Sequence, residues 1–393
     1  MSDHFYYFAA PYCRTAVVLP FDLQEVVANW AALRPDMVKS RPAAFNRDEW
    51  AYLISFLDQS NLLSPFRRCF GEPALTSTDV INRMMRPRGP IAVWLPGNVS
   101  LLGPLTLILL SLTGNALRLK SSSQGENMSQ AFLDFALAHL PTGPLSGCLR
   151  ERVRVEAFSR QDARNEEMAR DAALRVVFGA DAAAAAVDML PHPTDSVGFA
   201  FANRQSQAWL DYAAIDDDTL VQLIKVFAIY GQAGCTSPQK VILLDGRLSE
   251  ARLLRDRLLH LWPKVINRDL PMHVASSNVL TFQLANALGW EAALSARNGA
   301  VVAVGEIDAP AFSALMFLPI TPATLEQAMS RLPGNIQTIG YALRNPADAK
   351  WLTTLARSHV KRFVPLVRMH HFGPVWDGWA FWEQAFEEIE IQQ

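Results

Sequence analysis

From residue 91 onward the chain alternates between short strand-forming runs and helical runs, a rhythm that few architectures accommodate. "IAVWLP" (91–96) leads into an apolar run from about 102, and "NALRLK" (115–120) into "ENMSQAFLDFALAHL". "RVRVEAF" (152–158) precedes "RQDARNEEMARDAA", and "LRVVFG" (174–179) precedes the alanine-rich "ADAAAAAVDML". Strands joined by helices pair in parallel, because the crossover carries the chain back to the sheet edge it left. The pattern therefore predicts a parallel sheet with helices on both faces, which binds ligands at the carboxyl ends of its strands. After "SVGFAFANR" (196–204) the helical run "DDTLVQLIKVFAIYG" opens a second series, "KVILLD", "SEARLLRDRLLHLW", "NVLTFQLANALGW" and "AVVAVGEI". That series predicts a second α/β domain. The first eighty or so residues, with "DLQEVVANWAAL" and "RDEWAYLISFLDQ", read as amphipathic helices.

At 393 residues, half of them hydrophobic, the chain has enough apolar material for two or three well-buried cores. Lys and Arg number 36 against 38 Asp and Glu, a net charge of −2, so no global field draws nucleic acid or an anionic membrane. The most apolar run, "LLGPLTLILLSL" (101–112), is too short to span a bilayer, which takes roughly 20 residues, and it contains Pro104. It predicts a core helix. Cys13, Cys69, Cys148 and Cys235 are scattered, with no C-x-x-C pair and no zinc-type His spacing, so no metal is expected. The start "MSDHFYYFAAPYCR" lacks a basic segment followed by an apolar one, which predicts no secretion signal, a cytoplasmic location and reduced thiols.

One cysteine stands apart. Cys13, Cys69 and Cys148 read as buried structural thiols, the usual fate of this residue. Cys235 instead falls in the bend "YGQAGCTSPQK" (230–240), which joins a helical run to the strand-like "VILLD". Gly231 and Gly234 remove side chains and permit close backbone approach, Thr236 and Ser237 supply polar groups, and Pro238 fixes the chain as it enters the strand. A thiol held there is suited to attack an electrophilic carbonyl as its thiolate. Residue chemistry alone leaves a structural thiol as the alternative.

"YGQAGCTSPQKVIL" resembles the cysteine motif of the aldehyde dehydrogenase superfamily. Its Thr-Ser-Pro-Gln continuation is especially similar to the acyl-CoA reductase branch, which includes the fatty-acid reductase of bacterial bioluminescence. Three further segments fall in the family's order and at about its spacing: "WLPGNVSLLGPLTLILLSLTGNALRLKSS", "VVFGADAAAAAV" and "MHHFGPVWDGW". The resemblance implies a Rossmann-type parallel-sheet cofactor domain, an aldehyde-dehydrogenase-like architecture and a second α/β catalytic domain. It implies that Cys235 is the nucleophile and that Asn98 donates to the oxygen of the attacked carbonyl beside the Cys235 backbone N–H. Pro96, in the same proline-x-asparagine turn, would contact the cofactor. Lys120 would bind the adenosine ribose or its phosphate, and Gly179 would let backbone N–H groups face the pyrophosphate, although Asp181 brings a negative charge there. In place of the glutamate that often follows the strand-ending lysine, this chain has Ser121, Ser122 and Ser123. Ser123, standing where that carboxylate would repel a 2′-phosphate, points to NADPH, with NADH as the alternative.

Aldehyde-oxidising relatives carry a glutamate ahead of the cysteine that activates water; "SVGFAFANR" has no carboxylate. The acidic residues that follow, Asp211 and Asp216 to Asp218, read as surface and helix-capping groups. The resemblance thus implies reduction of an acyl thioester, carried by CoA or an acyl carrier protein, to an aldehyde through a cysteine acyl-enzyme and a thiohemiacetal. Aldehyde oxidation by the same fold and a non-catalytic relative that partners a carrier protein or complex are the alternatives, and a homo-oligomer is compatible with either. His370 and His371 are expected as a surface pair on a loop, with a proton donor at the active site as the other reading. The expected domains are 1–205 (helical segment and dinucleotide-binding domain), 206–371 (catalytic domain) and 372–393, a C-terminal segment returning to the first domain or to a subunit interface.

Overall fold

A computed structural model describes residues 3–10, 13–73, 81–123, 125–267, 270–310, 312–346 and 349–392; the side chain of Cys13, expected as a structural thiol, lies outside the described part. Two compact units divide the chain, one of Met1–Ala202 with Phe372–Gln393 and one of Asn203–His371. In chain order the first unit supplies β1 (His4–Ala10), β2 (Cys13–Leu19), β3 (Glu72–Pro73), β4 (Arg83–Pro87), β5 (Ile91–Trp94), β6 (Leu117–Ser121), β7 (Val153–Ala157), β8 (Leu174–Gly179) and β9 (Val197–Ala202). The second unit supplies β10 (Gln205–Asp211), β11 (Pro238–Leu244), β12 (Glu291–Leu294), β13 (Val301–Val304), β14 (Phe317–Ala323), β15 (Ile336–Ala342) and β16 (Arg362–Pro365), after which β17 (Phe386–Glu390) belongs to the first.

The first unit contains a five-stranded sheet in the order β7-β6-β5-β8-β9, parallel throughout. Order reverses at β5, so the crevice at the carboxyl ends of β5 and β8 is a topological switch point, the place where such sheets take ligands. Between β5 and β6 runs the helix Leu102–Ser111, every residue of which is buried. Pro104 sits in its first turn, where its missing N–H costs no hydrogen bond. Among the described residues no helix is long and apolar enough to cross a membrane.

A separate sheet, β17-β4-β2-β1-β3, completes the first unit and corrects the expectation of an all-helical start. β1 and β2 form an antiparallel pair, Tyr6 opposite Val17 and Phe8 opposite Thr15, and their aromatic and β-branched residues suit a pleated surface. The expected helices follow at Leu23–Ala32 and Arg47–Phe56, capped by Asp22 and Asn46. From residue 372 the chain lies in this unit, and β17 pairs antiparallel with β4.

The second unit is built on a seven-stranded sheet, β12-β13-β14-β11-β10-β15-β16, parallel except for β12 against β13. On one face Ala208, Leu210, Val241, Leu243, Leu318 and Ile320 pack with the helices Asp217–Ala228 and Leu248–Val265. On the other, Trp209, Ile242, Leu244 and Ile339 form a second core. The segment "NVLTFQLANALGW" lies largely in the helix Met272–Ala287.

Candidate active site

The Cys235 bend runs from the end of the helix Asp217–Ala228 to the first residue of β11. It therefore sits at the amino end of its strand, opposite to the usual ligand edge of a parallel sheet. Asp216 starts the helix by accepting from the Thr219 N–H at 2.8 Å, as its sequence position suggested. At the far end Gly231 has φ 56° and Gln232 φ 63°, a left-handed pair in which only the glycine is at ease.

Gln232 holds this conformation because its side chain is tied to the neighbouring backbone. The fully buried amide donates to the Phe317 carbonyl at 2.8 Å and the Pro238 carbonyl at 3.1 Å, and accepts from the Phe317 N–H at 3.0 Å. The bend is thereby fastened to the start of β14. A Cβ on Gly234 would lie 2.9 Å from the Tyr230 ring, so only glycine lets the chain pass this ring undisturbed.

Two further contacts bracket Cys235 itself. Ser206, buried in β10, donates to the Cys235 carbonyl at 2.7 Å. The next residue, Thr236, pairs its hydroxyl with His370 Nδ1 at 2.6 Å, while His370 Nε2 stands 2.6 Å from the Val226 carbonyl. A carbonyl can only accept, so Nε2 carries the proton and Nδ1 accepts from Thr236. Val226 O is one of the last helix carbonyls, which lack an intrahelical partner.

His370 is thus buried within the site and is no surface histidine, which corrects the expectation for this member of the pair. Burial, with the nearby Arg362 charge, pushes it down to about 4. Its ring is neutral at physiological pH and both nitrogens are engaged, which argues against a proton-donor role for His370. His371 beside it is exposed. The sequence offered no direct signal for this role, because the Thr236 and Val226 partners lie far away along the chain.

Cys235 is half-buried. Burial pushes the Cys69 thiol up to about 12 and the Cys148 thiol up to about 11, which rules both out as thiolates at working pH.

In the first unit the predicted cofactor residues converge on one edge of the parallel sheet. Pro96 follows β5, Lys120 stands near the end of β6, and Gly179 closes β8. The turn Pro96–Asn98 presses on the serine run: a Cβ on Gly97 would lie 2.9 Å from Ser122 Oγ. Asn98 and Ser123 are exposed. The helix Asp181–Asp188 after Gly179 begins without a side-chain cap, and a Cβ on Gly179 would meet only Ala183, at 3.6 Å. The protein's own packing therefore does not demand glycine there. Lys120 is buried, its Nζ 5.7 Å from the centre of the Phe158 ring, and burial together with Arg160 lowers its pKa. No carboxylate among the described residues pairs with it. A buried cation beside an aromatic ring at this sheet edge is compatible with a nicotinamide dinucleotide of either kind. Among the described residues no cluster of His, Cys, Asp or Glu could hold a metal ion.

Comparison with known proteins extends this picture. The family model for acyl-CoA reductase (LuxC) matches residues 27–383. No curated protein matches the chain. Among solved structures, succinic semialdehyde dehydrogenase from Streptococcus pyogenes in complex with NADP+ aligns with TM-score 0.65 at 13% identity, over 94% of this chain and 90% of that one. Aldehyde dehydrogenase 21 from Physcomitrella patens, in complex with succinate, gives 0.63 at 14% over 94% and 84%. An aldehyde dehydrogenase from Bartonella henselae gives 0.61 at 13% over 94% and 85%. At such identities the likeness is one of fold, and the fold is aldehyde-dehydrogenase-like α/β.

Proposed function

Because the chain belongs to the acyl-CoA reductase (LuxC) family, a family of oxidoreductases, we propose that it reduces an acyl thioester to an aldehyde with NADPH through a covalent intermediate on Cys235. The thioester is an acyl-CoA or an acylated carrier protein. The observation that carries the reading is the half-buried Cys235 thiol, set in a bend whose backbone is fastened by buried side chains before, at and after the cysteine.

Sγ of Cys235, as thiolate, attacks the thioester carbonyl, the carbon–sulfur bond to the carrier breaks, and the carrier leaves as its thiol after taking a proton. The Cys235 backbone N–H and the Asn98 side chain serve as donors to the carbonyl oxygen as it gains charge. Family resemblance assigns Asn98 this role. Lys120, Ser123, Gly179 and Pro96 would hold the nucleotide, with Lys120 and the Ser123 hydroxyl on the adenosine phosphate. NADPH, when bound, supplies the hydride that brings the acyl carbon to the aldehyde level. Release of the aldehyde breaks the bond to Cys235 Sγ and restores the thiol. β9 carries no carboxylate to activate water, so the acyl-enzyme is spared hydrolysis.

The test is incubation with NADPH and a panel of acyl-CoAs, followed as loss of nicotinamide absorbance. Chain-length-dependent oxidation that Cys235→Ala abolishes is expected. Turnover of free aldehydes alone, with no thioester consumed, would replace this reading by the oxidative one.

A further inference from the structure

The bond from Thr236 to His370 leads to an assignment that the cysteine motif does not contain. The turn bearing His370 is itself braced. Arg362 of β16 donates to the carbonyls of Met369 at 3.0 Å, Arg368 at 3.3 Å and His371 at 3.1 Å. The buried Met369 side chain lies over Gly340 of β15, where a Cβ would collide with it. From this fixed turn the imidazole spans the end of the helix Asp217–Ala228 and the residue after Cys235. Tyr230 closes one side, its ring edge-on at 5.2 Å and 86°. The Cys235–Thr236 peptide is thus held from both directions, by Ser206 on its carbonyl and by His370 through the following side chain.

We propose that His370 is a positioning residue for Cys235: its Nδ1 accepts a hydrogen bond from the Thr236 hydroxyl and its Nε2–H donates one to the Val226 carbonyl, fixing the Cys235–Thr236 peptide next to the thiol. His370 itself touches no substrate and passes no proton. Its Nε2–H ties the bend to the helix end, and its Nδ1 leaves the Thr236 hydroxyl one orientation. Loss of either contact frees the peptide to turn, and a misplacement of about 1 Å at a nucleophile is enough to slow attack about 10²-fold. The assignment rests on the reading of Cys235 as nucleophile, and the experiment keeps the two separable.

Full-length wild type, His370→Ala, His370→Asn, Thr236→Val and the double variant Thr236→Val/His370→Ala are compared after circular dichroism confirms folding. Two quantities are read: NADPH-dependent reduction of an acyl-CoA, and amide hydrogen exchange of the peptide 230–240 by mass spectrometry. His370→Ala and Thr236→Val should each lower kcat about 10²-fold with KM for the nucleotide unchanged, since the nucleotide residues are elsewhere. Because both break the Thr236–His370 contact, the double variant should be no slower than the worse single one. Asn places an amide oxygen near the position of Nδ1, so His370→Asn should recover about tenfold of the loss. Exchange in the peptide should speed up wherever turnover falls. Additive losses, no advantage of Asn over Ala, or unaltered exchange would each overturn the assignment. If Cys235→Ala keeps full turnover the nucleophile reading fails, while the exchange data still report whether His370 fixes the bend.

Discussion

Acidification should unfold this protein partly through one buried histidine, and the size of the effect follows from its surroundings. In the unfolded chain His370 has the ordinary value of 6.5, and in the folded chain burial pushes it down to about 4. A depressed folded value means that the unfolded state binds the proton first. The stabilising difference is therefore fully present above pH 6.5 and is lost as pH falls towards 4. Each tenfold difference in proton affinity between the two states corresponds to about 1.4 kcal/mol, so the loss reaches about 2 kcal/mol by about pH 5 and about 3 kcal/mol below about pH 4. Urea unfolding of wild type and His370→Asn at several pH values between about 7 and 4 isolates this contribution, because every other titrating group is common to both. The variant, less stable at neutral pH through its lost contact with Val226, should lose stability less steeply on acidification, and the two curves should converge. Parallel curves across that range would refute the placement of a neutral, buried imidazole at this position.

Three further outcomes follow from the same geometry. Gln232→Ala removes three buried hydrogen bonds and leaves backbone groups of Phe317 and Pro238 unpaired, so unfolding free energy should fall by at least about 3 kcal/mol in a urea titration; a drop below about 1 kcal/mol would show that the bend has another anchor. Asn98→Ala should lower kcat about 10²- to 10³-fold with little change in KM, since an oxyanion donor acts in the transition state, and a change in KM alone would reduce Asn98 to a turn residue. Lys120→Met and Ser123→Glu should each weaken NADPH binding at least about tenfold in a fluorescence titration while NADH binding changes less; equal losses for both nucleotides would remove the 2′-phosphate from this pocket.

The alternating core was legible because local composition decides it. "LRVVFG" becomes β8 over the residues expected, and the neighbouring strands differ from expectation by one to two residues at their ends. The peripheral sheet was not legible. β4 pairs with β17 across most of the chain, a contact that no local pattern encodes, and β1 and β2 lack the helix-strand rhythm that marked the rest. At the site, Cys235 announced itself through its glycines and polar neighbours. Gln232 and His370 did not. The first is distinguished by a left-handed backbone that a glutamine gives no hint of, and the second by partners at the end of one helix and at the Cys235 bend, which only folding brings to it.

Everything proposed for the chemistry depends on Cys235 carrying the acyl group. Mass spectrometry of the full-length protein, after incubation with an isotope-labelled acyl-CoA and no nucleotide and again after addition of NADPH, reads this directly. One acyl group is expected on the peptide containing Cys235, absent from Cys235→Ser and discharged as aldehyde on addition of NADPH. Label on Cys69 or Cys148, label that NADPH does not discharge, or NADPH-dependent aldehyde formation by Cys235→Ser would contradict the assignment.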